Sequence, residues 1–229
     1  MTDDHPRPHP ESVPSPVFIT GGTGYVGRPL IVALLEKGFR VHALARPESV
    51  RKLPSGALTV IGNALDAATF AGAIPPNATF VHLVGTPHPN PSKAAEFRRV
   101  DLASIRASVA AAGQAAVRHF IYVSVAHPAP VMREYIAVRE EGEALARASG
   151  LQTTIMRPWY ILGPGHRWPY LLLPVYAILR WIPTRRAGAE RLGLITREEM
   201  VTALVWAIEN PPTDIWRILE VPQIRQIAA

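Results

Sequence analysis

The stretch Thr20-Gly21-Gly22-Thr23-Gly24-Tyr25-Val26-Gly27 constrains this chain more than any other, because it follows an apolar strand directly and opens an amphipathic helix. Glycine at the first position permits a tight turn, at the second it lets backbone approach a ligand, and at the third it lets the helix press on the strand. The amides of a first helical turn and the positive end of the helix attract phosphates. This order of strand, turn and helix predicts a corner that grips the diphosphate of a dinucleotide, with Gly21, Thr23, Gly24, Tyr25, Val26 and Gly27 around it. Leu30, Ile31, Leu34 and Leu35 stripe the helix, and Gly38 stops it.

Beyond this corner, short β-branched runs alternate with helix-length amphipathic stretches, the pattern of an α/β fold with a doubly wound parallel sheet and helices on both faces. The expected strands are Val17 to Thr20, Arg40 to Ala45, Thr59 to Gly62, Thr79 to Val84, His119 to Ser124 and Gln152 to Arg157. Phe97 to Ala112 and Tyr135 to Ser149 read as helices, the second ended by Gly150. After Arg157 the rhythm breaks into a Pro/Gly/Trp-rich segment and an apolar stretch, Leu171 to Ile182. Thr196 and Glu199 then form a capping box for a helix striped by Met200, Ala203, Leu204, Ala207 and Ile208 and ended by Pro211 and Pro212. A last strand, Trp216 to Val221, is expected to close the chain.

The 229 residues, 48% of them hydrophobic, suffice for one large core. Residues 1–16, dense in proline and without a basic region leading into an apolar one, are expected to be a disordered tail rather than a secretory signal. Residues 17–229 are expected to form a single domain, with 158–195 supplying most of a substrate-side cover and a small C-terminal subdomain. The absence of cysteine excludes disulfides, thiolate metal sites and cysteine nucleophiles, and no metal site is expected. The net charge of +6 comes from scattered arginines without the aromatic-studded basic run that binds single strands, so nucleic acid is not an expected partner. Leu171 to Ile182 is far shorter than the ~20 residues that span a bilayer and contains Pro174 and Arg180, so no transmembrane segment and a cytoplasmic location are expected. A peripheral membrane contact is the competing use of that stretch.

The glycine turn is accompanied by the strand-end pair Ala45-Arg46, by Gly62-Asn63 and Asp66, by His82-Leu83-Val84-Gly85, by Tyr122-Val123-Ser124, and by Arg157-Pro158 ahead of Gly163-Pro164-Gly165. From Val17 to about Gly165 this set resembles the short-chain dehydrogenase/reductase superfamily, in particular its extended and atypical branches, which include epimerase/dehydratase-like and NmrA-like proteins. The resemblance implies a Rossmann domain that binds NAD(P). It places Asn63 and Ala64 near the adenine, Val84 and Gly85 along the adenosine, and Pro158 and Trp159 against the nicotinamide; many relatives carry aspartate where Asn63 stands. At the end of the second strand a carboxylate accepts from a ribose 2′-hydroxyl, whereas an arginine pairs with a 2′-phosphate. Arg46 at that position, with Arg28 after the third glycine, favours NADP, with NAD as second choice.

Reductases of the superfamily use a strand-end serine, a tyrosine acid or base and a lysine four residues later. Ser124 and Tyr135 match, and Arg139 takes the lysine position. Residues four apart share a helix face, so a cation at 139 can lie beside the Tyr135 phenol and a bound ribose and stabilise the phenolate. Glu140, Glu141 and Glu143 are expected to form the solvated face of the same helix. His166, Trp168 and Tyr170 are candidate substrate contacts near the mouth. The leading expectation is an NADP-dependent oxidoreductase acting on a small, fairly apolar carbonyl compound, with Tyr135 as acid/base. The alternatives are a catalytically silent NAD(P)-binding sensor or accessory protein, of the NmrA-like or complex I accessory-subunit kind, and an epimerase or dehydratase with retained cofactor. The resemblance also leaves monomer and homodimer open, since relatives often pair through the helices at Phe97 to Ala112 and Tyr135 to Ser149.

Overall fold

The computed structural model describes residues 14–129, 131–164 and 191–229. The expected tail therefore lies outside the described residues as far as position 13, and so does the apolar stretch Leu171 to Ile182. The described strands are β1 (Val17–Thr20), β2 (Val41–Ala45), β3 (Leu58–Ile61), β4 (Thr79–His82), β5 (His119–Val123), β6 (Thr153–Arg157), β7 (Tyr160–Leu162), β8 (Leu194–Thr196) and β9 (Trp216–Glu220). The main helices are α1 (Gly27–Glu36), α2 (Ala103–Gln114), α3 (Arg133–Ala148), α4 (Arg197–Glu209) and α5 (Val221–Ala228). A single turn, Ala94–Glu96, and a π-helical stretch, Phe97–Leu102, lead into α2.

Seven strands form one parallel sheet in the order β3-β2-β1-β4-β5-β6-β9. The order reverses between β1 and β4, and in such sheets ligands bind beyond the carboxyl ends of the strands at that reversal. Side chains alternate across the sheet as strand geometry requires. Val17 and Ile19 of β1, with Val81 and Ile121, pack on Leu30, Ile31 and Leu34 of α1 and on Met200, Leu204 and Ile224 of α4 and α5. Phe18, Phe80 and Phe120 point to the opposite face, against Ile105 and Ala111 of α2 and Val138 and Ala146 of α3. Their rings form a ladder across three strands, with centroids 5.1 and 5.3 Å apart. The chain thus has the doubly wound Rossmann architecture expected from its sequence.

Two features depart from the sequence reading. Val221 does not end the last strand but starts α5: Glu220 and Gln223 form a reciprocal cap, Pro222 stands in the first turn, and Val221 and Ile224 are buried. In addition, β7 and β8 form a separate parallel pair, Tyr160 opposite Leu194 and Leu162 opposite Thr196. Three residues each are too short for periodicity to reveal. The expected capping box of α4 is present, with Glu199 N–H donating to Thr196 Oγ1 at 3.0 Å. Among the described residues no helix is long and apolar enough to cross a membrane.

Candidate dinucleotide site

The glycine turn sits at the reversal point and its glycines serve different ends. Gly21 has φ +78°, and a Cβ there would stand 2.7 Å from the Leu83 carbonyl carbon, so the turn passes directly over the end of β4. At Gly27 a Cβ would overlap the Gly21 carbonyl oxygen, which is how α1 closes onto the strand. Gly24 is exposed, and its N–H donates to Gly21 oxygen at 3.0 Å, leaving its outer face open for a ligand to approach backbone. No side chain caps the start of α1, and its first turn holds no acidic residue, so its amides and dipole remain available to an anion. Behind the turn, Thr20 Oγ1 contacts His82 Nδ1 at 3.0 Å, tying β1 to β4. Burial and then the nearby Arg139 push the pKa of that histidine down to about 3, so it is a neutral hydrogen-bonding core group.

A cavity of ≈ 500 Å³ opens beyond the ends of β1 to β4. It brings together Gly21, Thr23 and Gly24 with Arg46, with Asn63 and Ala64, and with Val84 and Gly85, all singled out from the sequence. Ser49, Gly62, Leu65, Pro87, Glu96 and Val100 also line it and were not anticipated. The Arg46 guanidinium is exposed and pairs with exposed Glu48 at 3.1 Å, a contact that costs little to exchange for a phosphate. Asn63 Oδ1 accepts from Leu65 N–H at 3.1 Å, which fixes the loop beneath the cavity. A second cavity of ≈ 470 Å³ shares Thr23 and Gly24 and adds Tyr25, Arg28 and Arg197, the last stacked over Tyr25 at 5.4 Å.

Ser124, Tyr135, Arg139, Pro158 and Trp159 do not line either cavity. Ser124 is buried and its hydroxyl donates to Glu143 Oε1 at 2.7 Å. Glu143 is therefore not on a solvated face, and the expectation for that residue is corrected. It is 2% exposed and also meets the Arg157 fork at 2.9 and 2.6 Å, His127 Nε2 at 3.2 Å and Arg147 at 3.1 Å. Burial raises its pKa, but hydrogen bonds from His127, Arg157 and Ser124 more than offset this and bring it down to about 2. Glu140 and Glu141 do lie at the surface, pairing with His127 at 3.0 Å and Arg106 at 2.6 Å.

Arg139 is buried, and it donates to Asp101 Oδ1 at 2.6 Å and to the Val123 carbonyl at 3.0 Å. Its guanidinium lies over the Tyr135 ring at 5.1 Å, and that ring also packs on the Phe97 ring at 5.0 Å. Burial works against its charge, but Tyr135, Tyr122 and Asp101 together hold its pKa above the usual guanidinium value. Asp101 in turn accepts from the Thr86 N–H at 3.0 Å and hydroxyl at 2.6 Å. Pro158 is buried and its carbonyl accepts from Ala126 N–H at 2.8 Å; Trp159 packs edge-on to Tyr160 with centroids 5.4 Å apart. His166, Trp168 and Tyr170 lie outside the described residues. Among the described residues no cluster of His, Asp and Glu is placed to hold a metal ion.

Residues 21–167 match a family model described as NAD(P)H-binding. The chain is similar to the ceramide reductase of Caulobacter vibrioides, 29% identical over 217 residues that cover 92% of this chain and 65% of the relative. It is also similar to the 4-hydroxy-2-methyl-3-oxo-4-farnesyl-3,4-dihydroquinoline-1-oxide ketoreductase of Stigmatella aurantiaca, 28% identical over 168 residues that cover 64% of this chain and 50% of the relative. The chain thus spans 65% and 50% of the lengths of these two proteins. Among solved structures, the Bordetella bronchiseptica enzyme WbmH in complex with NAD+ shares its fold with a TM-score of 0.64 at 19% identity, covering 86% of this chain and 72% of that one.

Proposed function

The chain belongs to the NAD(P)H-binding family, and on that premise we propose that it is an NADP-dependent reductase of a small, fairly apolar carbonyl compound. The observation that carries it is the ≈ 500 Å³ cavity in which an open glycine turn, an exposed arginine at the end of β2 and the Gly85 backbone face one another. A diphosphate fits the uncapped α1 terminus and the Gly24 backbone. Arg46, reinforced by Arg28 across Thr23 and Gly24, supplies the positive charge that a 2′-phosphate needs. Asn63 and Ala64 border the adenine end, and Val84 and Gly85 the adenosine. The reductase reading over the epimerase one draws on the two relatives, which are named as reductases of a ceramide and of a farnesylated ketone. Both names describe apolar substrates.

When bound, the nicotinamide supplies a hydride to the carbonyl carbon. Tyr135 then gives its phenolic proton to the carbonyl oxygen, with the Arg139 guanidinium lying over its ring. Pro158 and Trp159 back the nicotinamide. Ser124 acts through Glu143, fixing the end of β5. Three measurements test this reading. NADPH is expected to bind at least about tenfold more tightly than NADH, a preference that Arg46→Ala abolishes. Tyr135→Phe is expected to lose turnover of an apolar ketone while keeping NADPH affinity. Equal binding of both cofactors by the wild type, or full turnover by Tyr135→Phe, overturns the corresponding part.

One observation favours a second reading, a binder that does no chemistry: the hydroxyl of Ser124 is taken up by Glu143, and the cation of Arg139 by Asp101. Tight NADPH binding with no oxidation across a broad panel of apolar ketones decides for it.

A further inference from the structure

Resting on the dinucleotide-binding reading, we infer that Arg139 and Asp101 form a positioning couple that sets the adenosine side of the dinucleotide through the backbone of Gly85 and Thr86, without touching the ligand. The couple joins four elements at one buried point. Arg139 comes from α3, Asp101 from the π-helical stretch, Thr86 from the continuation of β4, and the Val123 carbonyl from the end of β5. Both oxygens of Asp101 are committed, Oδ1 to the arginine at 2.6 Å and Oδ2 to the Thr86 N–H and hydroxyl at 3.0 and 2.6 Å. Arg139, Asp101 and Thr86 are 5%, 1% and 5% exposed, so solvent competes with none of these bonds.

Gly85 is the link to the ligand. A Cβ on Gly85 would overlap a terminal nitrogen of Arg139, so the guanidinium lies directly against its backbone, while the residue also lines the dinucleotide cavity. A change in the couple therefore moves the floor between the ends of β4 and β5. Gly85 lines this cavity together with Arg46, Asn63 and Ala64, so that floor bears the adenosine side. Asp101 belongs to a π-helical stretch, a device that recurs at functional sites. The sequence position held by lysine in the reductases this chain resembles thus carries a residue whose donors face inward.

The test compares two ligands, NADPH and its adenosine fragment 2′,5′-ADP, by calorimetric titration of the full chain, with thermal unfolding of each variant in parallel. Asp101→Asn and Arg139→Met are each expected to weaken NADPH and 2′,5′-ADP alike, by at least about tenfold, since the seat they lose lies along the adenosine. Thr86→Val, which removes one hydroxyl and keeps the shape, is expected to weaken both ligands by about two- to fivefold in a chain that folds normally. If Arg139→Met weakens the ligands while Asp101→Asn and Thr86→Val leave both affinities at the wild-type value, Arg139 contacts the dinucleotide directly and the inference falls. If all three variants only lower the melting temperature, with both affinities unchanged, the couple is structural and the inference falls as well. Failure of the wild type to bind either ligand refutes the dinucleotide reading instead.

Discussion

Replacing buried Glu143 by glutamine should destabilise the protein by several kcal/mol. The carboxylate accepts two bonds from the Arg157 fork and others from Ser124, His127 and Arg147. Glutamine keeps the volume and one acceptor oxygen but turns an NH₂ group toward guanidinium donors, leaving Arg157 with Glu220 at 3.3 Å as its remaining ion pair among the described residues. Two routes to the magnitude agree. Removing one partner of a buried ion pair costs about 3–5 kcal/mol. A carboxyl held at about 2 instead of 4.5 corresponds to about 3 kcal/mol at neutral pH. For a chain of this size that is a fall in Tm of about 6–12 °C. The sign in pH follows from the folded pKa lying below the unfolded one: the stabilisation is fully present above 4.5 and is lost as pH falls toward about 2. The assay is thermal unfolding of wild type and Glu143→Gln at several values from pH 7 to pH 3, and the gap should narrow at the acid end. A fall in Tm of less than about 2 °C at pH 7, or a gap that does not change with pH, refutes the argument.

Two further outcomes follow from the geometry. Gly27→Ala forces a methyl into the Gly21 carbonyl, so it should cost about 1–3 kcal/mol in urea unfolding and weaken NADPH at least about tenfold, whereas Gly38→Ala at the far end of α1, with nothing near its Cβ, should leave NADPH affinity unchanged. His82 and His119 are each held at about 3 by burial and nearby arginines, below their unfolded value of 6.5, so acid protonates the unfolded chain first. Stability should therefore be complete above pH 6.5 and fall by up to about 2.7 kcal/mol per unit below it, before Glu143 begins to titrate. Urea curves at pH 7, 6 and 5 check this, and His119→Gln should halve the slope.

Much of the frame was legible because it depends on short-range rules. The glycine turn, the stripe of α1 and the capping box of α4 are local patterns, and each stands where the sequence puts it. The alternating Phe18, Phe80 and Phe120 mark strands, but nothing in their spacing tells that they stack in one ladder. The ion pairs were harder. Glu140-Glu141-Gly142-Glu143 looks like a charged surface, yet Tyr135, Arg139, Gly142, Glu143 and Ala146 recur at three- and four-residue steps on one helix face. Gly142 gives room for the buried Tyr122 hydroxyl on that face, so the small residues beside Glu143 were the available signal. Asp101 likewise falls in line with Phe97 and Ile105, both buried. Its partner lies 38 residues away, and only the tertiary fold brings them together.

The pairing of Leu162 with Thr196 places the departure and return points of the intervening chain side by side, pinned to each other by a miniature sheet of their own. Where two points of a chain are already held together, the length between them changes cheaply, because closure entropy grows only with the logarithm of that length. Insertions or deletions between Leu162 and Thr196 are therefore expected to leave every strand of the large sheet in its register.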